Sequence, residues 1–235
     1  MKKKEIILQA AREAFPNTLP ILAGFLFLGA TYGVYMRASG FSFIYPMVMS
    51  TVIFAGSMEF VTVNLLLGAF QPLQAFMVTL LVNARHLFYG LSMLEKYRGV
   101  GKKKWYMVFA LCDETFSINC AVQVPKGVDQ GWFMFFVSLF DQLYWIAGAT
   151  LGGIFGGMIP LNLQGIDFAM TAMFAVIFTE HWLSTKNRVP AVCGLLVSAI
   201  SLLLFGSSQF MIPAMIGILL LLCGFQQQIE KEEKA

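Results

Sequence analysis

The chain has 235 residues, of which 58% are hydrophobic and only 12% are charged, and its formal net charge is +3. Soluble domains carry about 25% charged residues, so this composition excludes an ordinary soluble protein. The apolar residues lie in long uncharged runs, and a membrane-spanning helix needs about 20 apolar residues in sequence. We therefore predict an all-α polytopic membrane protein with seven or eight hydrophobic segments.

In chain order, the predicted parts are a cytoplasmic amphipathic N-terminal segment at residues 1–18, a single membrane transport domain at 19–225 and a cytoplasmic polar tail at 226–235. The first apolar run begins after Pro16 and is too long for a cleaved signal peptide, so we expect it to be retained. The hydrophobic segments of the domain are residues 19–36, 44–70, 72–94, 106–124, 133–158, 166–184, 190–205 and 209–225.

Clusters of Lys and Arg at the N-terminus and in the loop at 95–104 predict the topology. Short cytoplasmic loops collect basic residues, so both clusters should lie on the cytoplasmic side of the cell membrane. Three complete crossings between them would separate the clusters, so one of the first three segments should enter the membrane and return. Segment 44–70 is the best candidate, because Gly56, Ser57 and Glu59 interrupt its apolar run. Irregular backbone at membrane depth is tolerated only where it faces protein or a water-filled cavity.

A weak internal repeat points to a two-part domain. The sequence Gly-Ala-Thr-Tyr-Gly at residues 29–33 recurs as Gly-Ala-Thr-Leu-Gly at 148–152. Together with the charge pattern, it predicts two inverted repeats, at 19–124 and 133–225, each with a broken or re-entrant helix. Inverted repeats whose broken helices meet near the middle of the membrane are a common plan of secondary transporters.

Few charged residues lie in or near the apolar segments, and these are the candidate site residues. Each costs about 2.5–3.5 kcal/mol at the centre of a membrane helix. We therefore expect each one to be paired, to face a wet cavity or to lie near the membrane surface. They are Glu59, Arg85, Asp113, Glu114, Asp141, Asp167 and Glu180.

Glu59 is the most distinctive of these residues, because its nearest charged neighbours in sequence are Arg37 and Arg85, each more than 20 positions away. It should lie deep in the membrane whether its segment crosses or returns. A carboxylate there could bind a substrate ammonium group or exchange a proton. The alternative is a structural hydrogen bond across the break in the segment.

Asn83, Arg85 and His86 form a polar block inside segment 72–94. Asn83 and His86 are three positions apart and share a helix face. The planar fork of Arg85 is suited to a carboxylate, so Arg85 could pair with Glu59 or with a substrate. Alternatively, Arg85 extends to the membrane surface, and His86 is a buried histidine with its hydrogen bonds satisfied rather than a proton relay.

Asp113 and Glu114 are adjacent, and adjacent helix positions differ by about 100°. One of them should therefore face inward and the other the membrane surface. Asp141, Asp167 and Glu180 are secondary candidates with structural alternatives. Asp141 precedes aromatic residues of the kind found at membrane interfaces, Asp167 suits the first turn of a helix, and Glu180 could mark the membrane surface.

Motifs of the common enzyme classes are absent from the sequence. It contains no P-loop, no zincin motif and no serine-hydrolase motif, and no His or Cys residues with metal-ligand spacing accompany the acidic residues. We therefore expect a protein that is not an enzyme, with no catalytic residue, metal, cofactor or nucleic-acid partner.

Three blocks resemble the AzlC-type family, the large subunit of branched-chain amino acid exporters. They are Phe-Ala-Gly-Ser-Met-Glu-Phe at 54–60, Val-Asn-Ala-Arg-His-Leu-Phe-Tyr-Gly at 82–90 and Asp-Glu-Thr-Phe at 113–116. The resemblance implies secondary export of valine, leucine, isoleucine or analogues across the cytoplasmic membrane, usually together with a small AzlD-type membrane subunit. Glu59 departs from the family pattern, which more often has Gln at this position, and adds a negative charge at the expected site.

The function expected from residues and resemblance together is ion-coupled export by alternating access. Broken-helix N-termini at Gly56 and Ser57 would receive the carboxylate of the amino acid, and Glu59 or Asp113 would receive its ammonium group or a proton. Two alternatives remain at this point: a passive channel or scaffold subunit, and a membrane-embedded enzyme.

Overall fold

The computed structural model divides into two compact units, Met1–Ala169 and Met170–Ala235. No strand occurs among the residues it describes. Those residues are 3–69, 71–158, 168, 171–172, 175, 178–179, 182–183, 188–210, 213–214, 216–218, 220–222 and 224. The helices of unit 1 are α1 (Lys3–Ala38), α2 (Ile44–Val52), α3 (Gly56–Leu67), α4 (Pro72–Val82), α5 (Arg85–Met93), α6 (Lys103–Phe109), α7 (Asp113–Ala121) and α8 (Gln130–Phe155).

The frame of unit 1 is the pair α1 and α8, which are both long and apolar enough to cross a membrane. The predicted N-terminal segment 1–18 does not form a separate element, because α1 continues from Lys3 through Pro16 and Pro20 to Ala38. Ala10 and Ala14 are fully buried, so the first turns of α1 pack against the rest of the unit as the later turns do.

Glycines bring α1 and α8 into backbone contact. A Cβ atom at Gly33 would lie 2.1 Å from the Ala149 carbonyl oxygen, and one at Gly152 would lie 2.1 Å from the Ala30 carbonyl oxygen. Only glycine permits this approach, as in other closely packed membrane helices.

The two helices run parallel. In the first half of both, the Phe15 and Phe140 rings lie 5.7 Å apart, and towards the end of both Gly156 approaches Val34. The repeated pentapeptides at 29–33 and 148–152 therefore face each other on parallel helices, whereas equivalent helices of inverted halves would be antiparallel. This pair therefore does not confirm the predicted inverted repeats, and its shared small residues are those that a close helix contact needs.

Helices α2 and α3 form a hairpin whose tip lies inside unit 1. The chain is broken between Val52 and Gly56, as predicted for segment 44–70. On the way in, α2 runs antiparallel to α8, with Pro46 beside Gly153. On the way out, α3 runs along α1, with the Phe54 ring beside that of Phe25 and the Phe60 ring beside that of Tyr35.

Helices α4 and α5 then traverse the unit towards the end where α1 begins. A tight turn at Asn83 and Ala84 interrupts them, with i to i+3 hydrogen bonds from the amides of His86 and Leu87. At the far end, Met93 shares a hydrophobic core with Ala14 of α1. The loop at 95–104 thus lies at the same end of unit 1 as the start of α1, as the charge pattern predicts.

Helices α6 and α7 form a second hairpin, which differs from the uninterrupted segment predicted at 106–124. The chain leaves the helical conformation between Phe109 and Asp113. The helices have 7 and 9 residues, or about 10 Å and 14 Å at 1.5 Å per residue. The Lys96 ammonium donates to the Asn119 and Cys120 carbonyl oxygens at 2.8 Å and 3.0 Å, so α7 ends beside the loop from which α6 begins.

Unit 1 therefore contains two hairpins that open at opposite ends, and each is followed by a traversing element, α4 with α5 or α8 alone. The hairpin tips lie in the interior, where they can face each other.

In unit 2, the longest described helix is α9 (Val189–Gln209), and its part Val189–Gly206 is long and apolar enough to cross a membrane. Gly206 interrupts it with φ 69°, in the left-handed region that favours glycine. Most of the predicted segment 166–184, six residues of segment 209–225 and the whole tail at 226–235 lie outside the described residues. So does part of the repeat 133–225 after α8.

Candidate functional site

Three helix starts converge where the two hairpin tips meet: those of α3, α5 and α7. Arg85, the first residue of α5, connects the other two. Its Nη2 donates to the Ser57 hydroxyl oxygen at 2.9 Å, and its Nη1 lies 2.9 Å from Asp113 Oδ2 in an ion pair. One guanidinium group therefore contacts the tips of both hairpins.

This arrangement bears on the partner predicted for Arg85. Its ion pair is with Asp113 and not with Glu59. The Arg85 and Asp113 side chains are 30% and 20% exposed, so the ion pair remains within reach of a small solute. Asp113 is the member of the adjacent acidic pair that faces this centre, in the first turn of α7, where the helix dipole favours a negative charge.

Glu59 lies next to this centre but has different partners. Its side chain is completely buried, and Oε1 accepts hydrogen bonds from the Trp145 indole at 2.9 Å and from the Ala55 amide at 3.1 Å. The predicted structural role, a hydrogen bond across the break, is therefore present. Its Oε2 has no hydrogen-bond partner among the described residues, so the carboxylate retains an acceptor that a ligand can use.

Gly56 permits this contact, since a Cβ atom there would lie 3.0 Å from two ring carbon atoms of Trp145. The preceding loop is strained, because Phe54 has φ 46°, a conformation that costs a residue with a side chain about 1–3 kcal/mol. Such strain is concentrated at functional sites in proteins.

Asn83 and His86 flank Arg85. The Asn83 carbonyl oxygen accepts from the His86 amide at 2.9 Å and lies 3.1 Å from His86 Nδ1. Because a carbonyl can only accept, Nδ1 carries the hydrogen, and Nε2 of a neutral ring is then an acceptor. The Asn83 side-chain oxygen is buried without a hydrogen-bond partner among the described residues. One ring nitrogen of His86 thus forms a hydrogen bond within its own turn, which fits the structural alternative given for this residue. The Asn83 side-chain oxygen can still accept a hydrogen bond.

The N-terminus of α7 is held by its own tip. The Cys112 amide donates to the Thr115 hydroxyl at 2.8 Å, and Thr115 is completely buried. Glu114 is half-buried and acts electrostatically on Asp141 of α8. Asp113 thus contacts Arg85 directly, and Glu114 lies beside it on the helix that packs against α8.

One turn of α8 contacts both hairpins, and most of these contacts were not predicted from the sequence. Gln142 donates from Nε2 to the Thr51 carbonyl oxygen at 3.0 Å and accepts from the Tyr106 hydroxyl at 2.5 Å. Trp145 is buried rather than interfacial. Asp141 and Trp145 are four positions apart and share a helix face. This polar i, i+4 face inside an apolar helix was the sequence signal that could have indicated the contacts of this turn.

The remaining candidates, Asp167 and Glu180, lie outside the described residues. Within the described part of the chain, no group of three or more His, Cys, Asp or Glu side chains is arranged to hold a metal ion.

Buried, paired charges at the meeting point of broken apolar helices define a membrane protein with an internal polar site, the arrangement found in membrane transport proteins. Comparison with known proteins agrees with this class: the family model for the AzlC protein matches residues 20–159. The chain belongs to the AzlC family.

The similar proteins cover nearly the whole chain. A Bacillus subtilis protein named branched-chain amino acid transport protein AzlC is 58% identical over 99% of this chain and 92% of its own length. A Haemophilus influenzae protein named only as an uncharacterized membrane protein is 48% identical over 92% of this chain and 89% of its own length. The inner membrane protein YgaZ of Escherichia coli is 24% identical over 87% and 84%. No solved structure matches the chain.

Proposed function

We propose that this protein is a secondary transporter that exports branched-chain or related small amino acids across the cytoplasmic membrane. The observation that carries the proposal is the Arg85 bridge between two hairpins that enter unit 1 from opposite ends. A residue in contact with both tips is placed to bind a solute and to respond when either hairpin moves. The name of the Bacillus subtilis relative supports the substrate class.

The amino acid's carboxylate binds at Arg85 and at the N-termini of α3 and α7. The Arg fork matches a carboxylate in geometry, and helix N-termini attract anions through their free amide groups and dipoles. Asp113 now occupies one side of this fork, so a substrate carboxylate competes with it directly. The released Asp113 carboxylate and the free Glu59 Oε2 are then the acceptors for the substrate's ammonium group.

An apolar side chain has a neighbouring place in the structure. A cavity of about 240 Å³ lies between α3 and α4, and Met58, Thr62, Ala75 and Thr79 are among its lining residues. Met58 stands between Ser57 and Glu59 in sequence, so the cavity begins beside the polar centre. This placement suits a solute with a charged head and a branched hydrocarbon side chain.

Transport proceeds by ion-coupled alternating access. Because the hairpins open at opposite ends of unit 1, movement of α2 with α3 exposes the centre to one side of the membrane, and movement of α6 with α7 exposes it to the other. The basic residues near the start of α1 and in the loop at 95–104 support a cytoplasmic position for that end. A small AzlD-type subunit, implied by the family resemblance, is the proposed partner in the membrane.

The test is efflux of labelled leucine, isoleucine or valine from preloaded proteoliposomes, with the chain alone and together with its small partner subunit. We expect saturable efflux that Arg85→Ala abolishes and that Arg98→Ala, a change at an exposed loop arginine, leaves intact. Uphill movement under an ion gradient distinguishes a secondary transporter from a passive channel. Efflux without saturation, or chemical conversion of the amino acid, contradicts the proposal.

A further inference from the structure

Asp141 is a buried acid that the proposed substrate site does not use. It lies near the middle of α8 and is completely buried. Neither of its carboxyl oxygens has a hydrogen-bond partner among the described residues. By contrast, the carboxylates of Glu59 and Asp113 are bonded to Trp145 and Arg85.

A permanent negative charge on such a residue is unfavourable in free energy. An ionised carboxylate that is buried without a partner costs several kcal/mol, and intramembrane acids usually belong to ion pathways or proton relays. A carboxyl group that carries a proton avoids this cost and can release the proton when water or a cation reaches it.

A second acid lies on a helix that contacts α8. Helix α7 packs against α8 and carries Glu114, whose charge acts on Asp141; carboxylates that lie near each other do not readily both ionise. Tyr106 of α6 and the Cys112 thiol at the start of α7 also act on Asp141, and Asp113 and Arg85 also act on Glu114. Helix α2 has no charged residue, and the charged residues of α1 are exposed.

The pair is linked mechanically to the substrate centre. Asp113 and Glu114 are consecutive residues of α7, so one short helix carries both the partner of Arg85 and the acid that acts on Asp141. A displacement of α7 that separates Asp113 from Arg85 also changes the distance between Glu114 and Asp141. Proton binding at one place and solute binding at the other are thereby coupled through the same hairpin.

We propose that Asp141 is the coupling site, with Glu114 as its neighbouring acid, and that Asp141 carries one exchangeable proton. The proton passes from water on one side to Asp141, and from Asp141 to water on the other side, as the hairpin moves. The inference rests on the proposed transport function.

The experiment compares two activities of the same proteoliposomes. In exchange, the amino acid is present at equal concentration on both sides and no net proton movement is needed. In driven transport, a pH gradient moves it against its concentration gradient. We expect Asp141→Asn and Glu114→Gln to abolish driven transport while exchange stays within about twofold of the wild-type rate. Asp129→Asn and Glu95→Gln change exposed acids and serve as matched controls that retain both activities.

Driven transport that persists in either Asp141→Asn or Glu114→Gln overturns the inference, as does driving by a sodium gradient in the absence of a pH gradient. If Asp141→Asn does not fold, Glu114→Gln provides the test. Asp141→Glu keeps a carboxyl group and should retain the driven transport that Asp141→Asn loses. A wild-type protein that neither exchanges nor exports any amino acid refutes the proposed function instead. The two failures are therefore distinct.

Discussion

Arg85 donates a hydrogen bond to Ser57 and forms an ion pair with Asp113, both at 2.9 Å, although these two residues belong to hairpins that enter the protein from opposite ends. The contact therefore holds both hairpins at one point. A guanidinium group can do this because its donors point in fixed, divergent directions, which the ammonium group of Lys cannot reproduce.

Arg85→Lys should retain the positive charge and lose simultaneous contact with both tips. Lys lacks the planar fork, so it should also lose one of the two charge-assisted hydrogen bonds proposed to the substrate carboxylate. That loss costs about 1.5–3 kcal/mol, so the amino acid concentration for half-maximal efflux should rise about 10- to 150-fold. The measurement is a concentration series in proteoliposomes, with Arg98→Lys as control. An unchanged half-saturating concentration would remove Arg85 from the substrate site.

Glu59→Gln tests the separate roles of the buried acids. Gln keeps an oxygen that can accept from Trp145 and Ala55, but it loses the negative charge proposed to receive the ammonium group. We expect weaker substrate binding and an unchanged dependence of transport on the pH gradient. The two are measured as the half-saturating concentration and the ratio of efflux with and without the gradient. Loss of gradient dependence would make Glu59 part of the coupling site.

Trp145→Phe should destabilise the protein and leave its hydrophobic packing nearly intact. It removes the indole donor at 2.9 Å from Glu59 and leaves the Ala55 amide as the donor to the same oxygen; the loss of one hydrogen bond costs about 0.5–1.5 kcal/mol. A lower thermal unfolding temperature in detergent is the expected result. Trp132→Phe, on the same helix, keeps the ring over Lys103 and should change stability less; equal effects of the two substitutions would contradict the role given to the indole donor.

Gly56→Ala should push the Trp145 ring away from Glu59, because the added Cβ would lie 3.0 Å from two of its carbon atoms. Overpacking of this kind costs about 1–3 kcal/mol, and efflux should fall together with thermal stability. Gly90→Ala is the matched control, since a Cβ atom at Gly90 meets nothing within 4 Å. If Gly56→Ala behaves like Gly90→Ala, the close contact with the indole ring is unimportant.

Gly33→Ala should be the most damaging of these substitutions. Its Cβ would lie 2.1 Å from the Ala149 carbonyl oxygen, so α1 and α8 would have to separate along their contact. We expect a loss at or above about 3 kcal/mol, the upper end for common overpacking, and little folded protein by size-exclusion chromatography. Gly24→Ala on the same helix, where a Cβ atom meets nothing within 4 Å, should fold normally.

The sequence was sufficient to predict the helical class, the break in segment 44–70 and the common end of the N-terminus and the 95–104 loop. Each of these depends on a local signal: uncharged runs, a Gly-Ser-Glu interruption or basic clusters. The second hairpin was missed because Ala110, Leu111 and Cys112, which break it, are apolar and give no such interruption.

Contacts between residues that are distant in sequence could not be predicted either. The ion pair of Arg85 with Asp113 and the hydrogen bond of Trp145 with Glu59 join residues that lie on different helices. Charge and burial cost predicted that Arg85 and Glu59 need partners, but each had more than one eligible partner. The choice depends on how the hairpin tips meet, which the spacing of residues in the chain does not encode.

The backbone of Phe54 has a consequence for the conformational equilibrium of the hairpin. With φ 46°, the tip of α2 and α3 stores about 1–3 kcal/mol of strain in the conformation described here. Any rearrangement that returns Phe54 to negative φ releases this energy. The strain raises the free energy of the present conformation relative to the alternative one, so less ligand binding energy is needed to convert one into the other. In the proposed transport cycle, strain in the loop beside the polar centre would thus lower the free energy needed for the conformational change.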